Sequence, residues 1–152
     1  MEIIMKPVAF VRNSRKNLSD DFWGDVVSEI ELADHIPTES FNGIESFSHI
    51  EIIFHFHLSD KPIIYSRHPR GNPAWPEVGI FAQRNKNRPN SLGLTTVKLI
   101  SREGRKLIMN HLDAIDGTPV IDIKPVMSTF LPDKNEVREP FWVGEMLKDY
   151  WK

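Results

Sequence analysis

The sequence predicts a mainly β protein of antiparallel strands, on three observations. Apolar and polar residues alternate with a period of two in several runs, which is typical of strands that bury one face. Neither a glycine-rich strand-to-helix turn nor an alternation of strands with helices is present, so a doubly wound nucleotide-binding sheet is not predicted. The 152 residues, 40% hydrophobic and 26% charged, suffice for one domain, 1–152, that buries roughly 70% of its unfolded surface.

Composition excludes several kinds of site. The chain has no cysteine, so disulfides, thiolate metal sites and cysteine nucleophiles are excluded, and a reducing compartment fits. The opening residues, MEIIMKP, lack the apolar run of a signal peptide, and no segment is long and apolar enough to span a membrane. We therefore expect a cytoplasmic protein with no membrane partner.

The first third of the chain predicts two strands and a helical turn. The elements are a strand over Lys6–Arg12, a turn-rich loop over Asn13–Trp23, a strand over Asp25–Leu32 with Val26, Ile30 and Leu32 on one face, and a helical turn within Pro37–Phe47. Thr38 is the predicted N-cap of that turn. Phe41 and Ile44 are predicted to point inward from it.

His49–Leu58 has the clearest strand pattern. One face is predicted to lie in the core: Ile50, Ile52, Phe54, Phe56 and Leu58. His55 and His57 share the other face, roughly 7 Å apart. Such a pair could ligate a transition metal, with only Asp60 and His111 available to complete the site. Polar lining of a cleft and ordinary hydrogen-bonded surface are the two other interpretations.

Ser59–Glu77 is predicted to be irregular because four prolines interrupt it, and loops of this length are usually functional or disordered. Arg67, His68 and Arg70 alternate with Tyr65 and Trp75. Cations interleaved with aromatic rings suit single-stranded nucleic acid. A solvated lid is the other interpretation.

Val78–Ile100 predicts a strand, a loop and a second strand. The connection Arg84–Leu92, here called the basic loop, is longer than the roughly two to five residues of an ordinary hairpin. The stretch Lys61–Asn90 carries six Lys or Arg and one acid, a net charge of +5, which leaves −7 elsewhere. This asymmetry indicates an anionic partner, with RNA the obvious large one, although a solvated basic loop has the same composition.

The last third predicts a turn at Arg102–Arg105, a strand over Lys106–Ala114, a Gly-dependent turn at Asp116–Gly117 and a strand over Val120–Lys124. On the last strand, Ile121 and Ile123 are expected on one face, and Asp122 and Lys124 are expected to pair as ions. The tail, Val126–Lys152, is predicted to end in a short amphipathic helix with four apolar contacts: Phe141, Trp142, Met146 and Tyr150.

Several motifs in this order resemble the TsaA-like family of tRNA methyltransferases, which includes the TrmO-type enzymes. They are FSHI (Phe47–Ile50), Phe56-His57, GIFAQR…NRPN (Gly79–Asn90), Gly93-Leu94 and LDAIDGTPVIDIKP (Leu112–Pro125). The resemblance covers about 6–125, leaving 126–152 as a tail. It implies an antiparallel β-barrel, a homodimer, and S-adenosylmethionine (SAM) bound without a Rossmann fold. It also implies methylation of N6 of N6-threonylcarbamoyladenosine beside the anticodon of threonine tRNA.

The resemblance also implies which residues bind the cofactor: Phe56, His57, Arg84, Leu94, Asp116, Gly117, Thr118 and Pro119. An aromatic ring would face the adenine, and an arginine can pair with the methionine carboxylate. Asp116 would bind ribose hydroxyls or the ammonium group, although a plain turn residue is the alternative for this position.

For the substrate, the expected contacts are Arg67, Arg70, Lys86, Arg88, Asn90 and Lys124. Arg67, Arg70 and Lys86 are expected from the placement of positive charge and lie outside the implied cofactor pocket. Methyl transfer to a ureido nitrogen needs alignment of the two reactants and a base. Asp122 and His57 are the candidate bases by residue type, and Arg88 or Lys124 would stabilise developing negative charge. Asp122 and Arg88 are the predicted catalytic residues.

The chain departs from the family pattern in two places. The family's RSPNRPNPIG is here RNKNRPNSLG (Arg84–Gly93), and Ser19–Gly24 (SDDFWG) replaces a segment that forms one wall of the cofactor pocket. Two other functions remain open: a non-catalytic RNA-binding β-barrel, and a metal-dependent barrel enzyme that uses His55 and His57.

Overall fold

A closed barrel of six antiparallel strands, in the order β1-β2-β7-β6-β3-β8, forms the centre of the computed structural model, which describes residues 1–59 and 61–152. The elements are β1 (Ala9–Arg12), β2 (Val27–Leu32), β3 (His49–His55), β4 (Ser66–Arg67), β5 (Val78–Gly79), β6 (Leu92–Glu103), β7 (Lys106–Asn110), β8 (Pro119–Pro125) and the helix α1 (Phe141–Leu147). β4 and β5 form a separate two-stranded sheet. The predicted mainly β, antiparallel barrel fold is confirmed.

The inward residues of β3 are the centre of the core, as their alternation predicts. Ile50 and Ile52 are fully buried and Phe54 is 2% exposed. The predicted length is wrong, because the strand ends at His55 and Leu58 is 48% exposed. The chain turns there: the backbone N–H of Phe56 donates to the Ser91 carbonyl at 2.8 Å, and that of His57 to the His55 carbonyl at 2.8 Å.

The predicted hairpin over Val78–Ile100 is wrong. β5 pairs with β4, and a 3-10 turn, Ile80–Ala82, follows it. β6 pairs instead with β3, from His55↔Leu92 to His49↔Lys98, and with β7 on its other side. The two strands flanking the basic loop therefore belong to different sheets, because the buried face of β6 completes the barrel core while β5 pairs only with β4.

A β-bulge changes which residues of β8 face the core. Ile53 of β3 pairs with Asp122, but the next residue, Phe54, pairs with Val120, so Ile121 is the extra residue. Val120 is fully buried and Ile123 packs against the core, which corrects the predicted Ile121 and Ile123 face. The expected ion pair between Asp122 and Lys124 is present at 2.8 Å.

The short helical segments differ in detail from their predictions. Two 3-10 turns, Thr38–Phe41 and Ile44–Ser46, replace the predicted helical turn, and Phe41 is buried as expected. Thr38 is not an N-cap; its hydroxyl accepts a hydrogen bond from Arg105 Nη1 at 3.2 Å. β2 begins at Val27, so its buried face starts at Ser28 rather than Val26.

The predicted contacts of the tail helix extend from Phe141 to Tyr150, but α1 ends at Leu147. Trp142 is buried as expected, but Phe141 is 70% exposed, and Tyr150 lies beyond the end of the helix. Across 1–59 and 61–152, helices are too short or too polar to cross a membrane.

Candidate functional site

The implied cofactor residues that follow β3 and those at the start of β8 meet at one end of the barrel. Gly117 has φ of 80°, and a Cβ placed on it would lie 3.9 Å from His57 Nε2. Its N–H donates to the Val11 carbonyl at 2.8 Å, which fixes the Asp116–Pro119 turn against the end of β1. Phe56, next to His57, packs edge-on against Phe54 with ring centroids 5.3 Å apart. Two motifs separated by about 60 residues in sequence are therefore neighbours.

Asp116 fastens this turn to the loop after β1. Its N–H donates to the Arg15 carbonyl at 2.7 Å, and its Oδ1 accepts from the Asn13 N–H at 3.2 Å. These bonds support the turn-residue interpretation and use one of the two carboxylate oxygens. The second carboxylate oxygen is left for a ligand. Asp116 can therefore be both a turn residue and a cofactor-binding residue.

Arg84 lies beside the start of β6, where its guanidinium donates to the Leu94 carbonyl. The rest of the basic loop has its own hydrogen bonds. Asn87 is buried and its side chain accepts from the Ser59 hydroxyl at 2.8 Å, while Arg88 donates to the Gln83 carbonyl at 2.7 Å. The loop is therefore built around Asn87 and leaves Arg84 exposed beside Leu94.

The predicted RNA-binding cations are not equivalent. Arg70 forms a two-pronged ion pair with Asp21, at 2.8 and 3.1 Å, and the hydrogen bonds to Asp21 raise the pKa of Arg70. Arg67 donates to the His68 carbonyl at 3.1 Å. Lys124 is engaged with Asp122, which raises the pKa of Lys124. Asn90, at the loop exit, is exposed and has φ of 63°.

The two predicted catalytic residues are not brought together. Asp122 projects from the outer face of β8, beside an apolar groove of about 470 Å³ that Phe41 and Ile44 also line. Arg88 is held in the basic loop by the Gln83 carbonyl, and among the described residues no hydrogen bond or ion pair joins it to Asp122.

His57 has a lowered pKa, first because it is partly buried and second because His55 is close. It is therefore neutral near pH 7. Within the described part of the chain, no group of three His, Asp or Glu side chains could hold a metal ion. Asp60, suggested by the sequence as a further ligand, lies outside the described residues.

The family model of the tRNA-methyltransferase O N-terminal domain matches residues 19–130. This chain belongs to the TrmO family. The human tRNA (adenine(37)-N6)-methyltransferase is 42% identical over 108 residues, which cover 68% of this chain and 23% of the human protein. A protein of Methanothermobacter thermautotrophicus described as a probable S-adenosyl-L-methionine-binding protein is 39% identical over 128 residues, covering 82% of this chain and 90% of that one.

Solved TrmO structures share the fold. TrmO from Pseudomonas aeruginosa superposes with a TM-score of 0.75 and 26% sequence identity, over 93% of this chain and 62% of that one. The chain spans 23% of the human relative, and 41% of a methyltransferase-like relative from P. aeruginosa.

Sequence reasoning missed one half-buried polar cluster of this TrmO barrel. Asp113 accepts hydrogen bonds from the hydroxyls of Thr95 and Tyr150. The pKa of Tyr150 is raised by burial and then by the charge and hydrogen bond of Asp113, while the positive charge of Arg84 acts in the opposite direction. Asp113 lies within the LDAIDGTP motif, but its partner is 37 residues further on, in a tail without a local signal.

Proposed function

We propose that this chain is a SAM-dependent methyltransferase that acts on N6 of adenosine 37 of tRNA, with N6-threonylcarbamoyladenosine in threonine tRNA as the favoured substrate. The observation that carries the proposal is the convergence of Phe56-His57 with the Asp116–Pro119 turn at one barrel end. The names of its relatives support the proposal. One relative is a tRNA (adenine(37)-N6)-methyltransferase, and others are described as probable SAM-binding proteins.

The residues at this end fit the cofactor chemically. The missing side chain of Gly117 leaves room beside His57 Nε2, so a ligand can approach the backbone of the turn. A neutral His57 does not repel a sulfonium cation. The exposed guanidinium of Arg84 suits a methionine carboxylate, which arginine can bind through two parallel hydrogen bonds.

SAM, when bound, supplies an electrophilic methyl group. The protein has to align that methyl with the acceptor nitrogen and accept a proton from it. Of the two candidate bases, His57 is neutral and lies within the cluster, whereas Asp122 already binds Lys124 at 2.8 Å and the Ile123 N–H at 2.9 Å. The geometry therefore favours His57 as the base. The proposal assigns to Arg88 the stabilisation of negative charge that develops on the acceptor.

Assembly is part of the same proposal. The cofactor residues lie at the surface of a barrel end, and a second copy would cover them, as the family resemblance implies. Light scattering of the purified protein should then give about twice the chain mass of 17.6 kDa.

Two measurements test the function. Calorimetric titration should show binding of SAM and S-adenosylhomocysteine, and transfer of a labelled methyl to threonine tRNA should depend on the threonylcarbamoyl group. RNA binding without cofactor binding would instead support a non-catalytic RNA-binding barrel. Metal-dependent activity would support a metalloenzyme that uses His55 and His57.

We expect Lys86→Ala to weaken tRNA binding and to lower the slope of log affinity against log salt by up to about 0.7, the value for one phosphate contact on a single strand. Arg70→Ala should change the slope less, because Asp21 already neutralises Arg70. The measurement is tRNA affinity at several salt concentrations. Lys134→Ala, an exposed tail residue, is the control. Equal slopes for Lys86→Ala and the parent would place the RNA on another surface.

A further inference from the structure

Residues Asp149–Lys152 form the turn after α1 and lie beside the loop that follows β1; they are here called the tail strand. Three backbone hydrogen bonds join them: Phe22 N–H to the Asp149 carbonyl at 3.1 Å, Trp23 N–H to the Tyr150 carbonyl at 2.8 Å, and Gly24 N–H to the Lys152 carbonyl at 3.3 Å. A Cβ on Gly24 would overlap the backbone carbonyl of Trp151. The close approach therefore requires glycine at this position.

The loop held in this way is Ser19–Gly24, here called the wall segment, where the chain departs from its relatives' pattern. Arg15 also holds the wall segment in place. Its guanidinium donates to the carbonyls of Ser19, Asp21 and Phe22 at 3.2, 2.6 and 3.0 Å. The same guanidinium lies 4.2 Å from the centroid of the buried Trp23 ring. Because the Arg15 carbonyl accepts from the Asp116 N–H, the wall segment is connected directly to the proposed cofactor turn.

The tail strand is itself anchored on the barrel. Tyr150 donates to Asp113, which also accepts from Thr95 of β6, and the Trp151 ring packs edge-on against His111 with centroids 5.3 Å apart. Thr95 follows Leu94, whose carbonyl accepts from Arg84. The tail strand is thus anchored on the same part of β6 as Arg84, while its carbonyls bind the wall segment.

Phe22 indicates that this arrangement holds the wall segment under strain. It has φ of 67° although it is not glycine, and its side chain is 59% exposed. Such a conformation persists only where surrounding contacts impose it, and it is commonest at ligand sites. Two contacts impose it here. The Arg15 guanidinium donates to the Phe22 carbonyl, and the Phe22 N–H donates to the Asp149 carbonyl.

We propose that the tail strand completes the cofactor pocket, with Tyr150 and Asp113 as positioning residues that hold the wall segment between Asp116 and Arg84. The inference rests on the proposed function, because it assigns the wall segment to the SAM site. It predicts that a change at Tyr150, which need not touch the cofactor, alters cofactor affinity.

The first test is Tyr150→Phe, which removes the hydroxyl donated to Asp113 and keeps the ring. We expect SAM to bind about tenfold more weakly, the effect of losing one hydrogen bond to a charged group. The KM for SAM should rise with kcat almost unchanged, and tRNA affinity should change little. The melting temperature should fall modestly, because the lost hydrogen bond also stabilises the free protein. Tyr65→Phe is the matched control for cofactor affinity. It changes the other tyrosine of the chain, whose side chain is 70% exposed.

The second test compares Asp113→Asn with Asp113→Ala. An asparagine can accept from one hydroxyl and donate to the other, so Asp113→Asn should recover most of the affinity that Asp113→Ala loses. If Asp113→Asn loses affinity while Tyr150→Phe does not, Asp113 contacts the ligand itself and the positioning role is wrong. Parent-like affinity in Tyr150→Phe would also overturn the inference, whereas absence of binding in the parent would overturn the proposed function.

The third test is Gly24→Ala, which should push the tail strand away and weaken SAM binding at least as much as Tyr150→Phe. Gly144→Ala, in α1 and with open space around the added Cβ, is the matched control and should bind SAM like the parent. Unchanged SAM affinity in a folded Gly24→Ala protein would show that the tail strand has no part in the pocket.

Discussion

Arg84→Ala should bind SAM roughly 100-fold more weakly than the parent, the largest loss expected from any single change at the site. A charge-assisted pair with a carboxylate contributes about 1.5–3 kcal/mol. The substitution also removes the hydrogen bond to the Leu94 carbonyl, which joins the first residue of the basic loop to β6. Calorimetric titration with SAM and S-adenosylhomocysteine measures the effect.

Two further variants make the Arg84 result specific. Arg84→Lys keeps the charge but not the planar fork, so its affinity should be intermediate. Arg138→Ala removes an exposed arginine of the tail and should bind SAM like the parent. If Arg84→Ala also binds like the parent, the methionine carboxylate is held elsewhere and this side of the pocket has been assigned wrongly.

Gly93→Ala should lower the free energy of unfolding by about 3 kcal/mol, the upper part of the range for overfilling a packed core. A Cβ at Gly93 would lie 2.5 Å from two carbon atoms of the Phe54 ring. That ring is 2% exposed and packs edge-on against Phe56. Urea unfolding should therefore show a lower midpoint with an unchanged m-value.

Gly79→Ala is the matched control for this effect. Gly79 is also a strand glycine, but its added Cβ would meet only the Tyr65 carbonyl, at 3.9 Å, which is ordinary contact. Equal stability of the two variants would mean that Phe54 repacks easily. Because Phe54 packs against Phe56, Gly93→Ala should in addition weaken SAM binding.

The sequence predicts the barrel strands wherever one face is buried and the other is polar, and β3 is the clearest example. The predicted strand pairing is wrong for Val78–Ile100, because two neighbouring stretches with alternating polarity have the local pattern of a hairpin. Only the three-dimensional pairing of β6 with β3, and of β5 with β4, distinguishes the two arrangements. The bulge at Ile121 was equally hidden, since alternation cannot show an extra residue in one strand.

Motif resemblance predicts a set of cofactor residues, and the structure places His57 beside Gly117. Charge counting was less informative, because it treats Arg70 as free when Asp21 pairs with it. The Asp113–Tyr150 contact could not be predicted from either residue alone, since a buried carboxylate needs a partner that only folding brings near.

The bulge on β8 lets Val120 and Ile123 both face the core although they are three positions apart. Regular alternation would put residues with that spacing on opposite faces of a strand. Deletion of Ile121 would bring them two positions apart, so a regular strand would still keep Val120 and Ile123 in the core and Asp122 outside. The extra residue therefore bends and twists β8, and so sets the direction in which the Asp116–Pro119 turn leaves the barrel, without deciding which side chains enter the core.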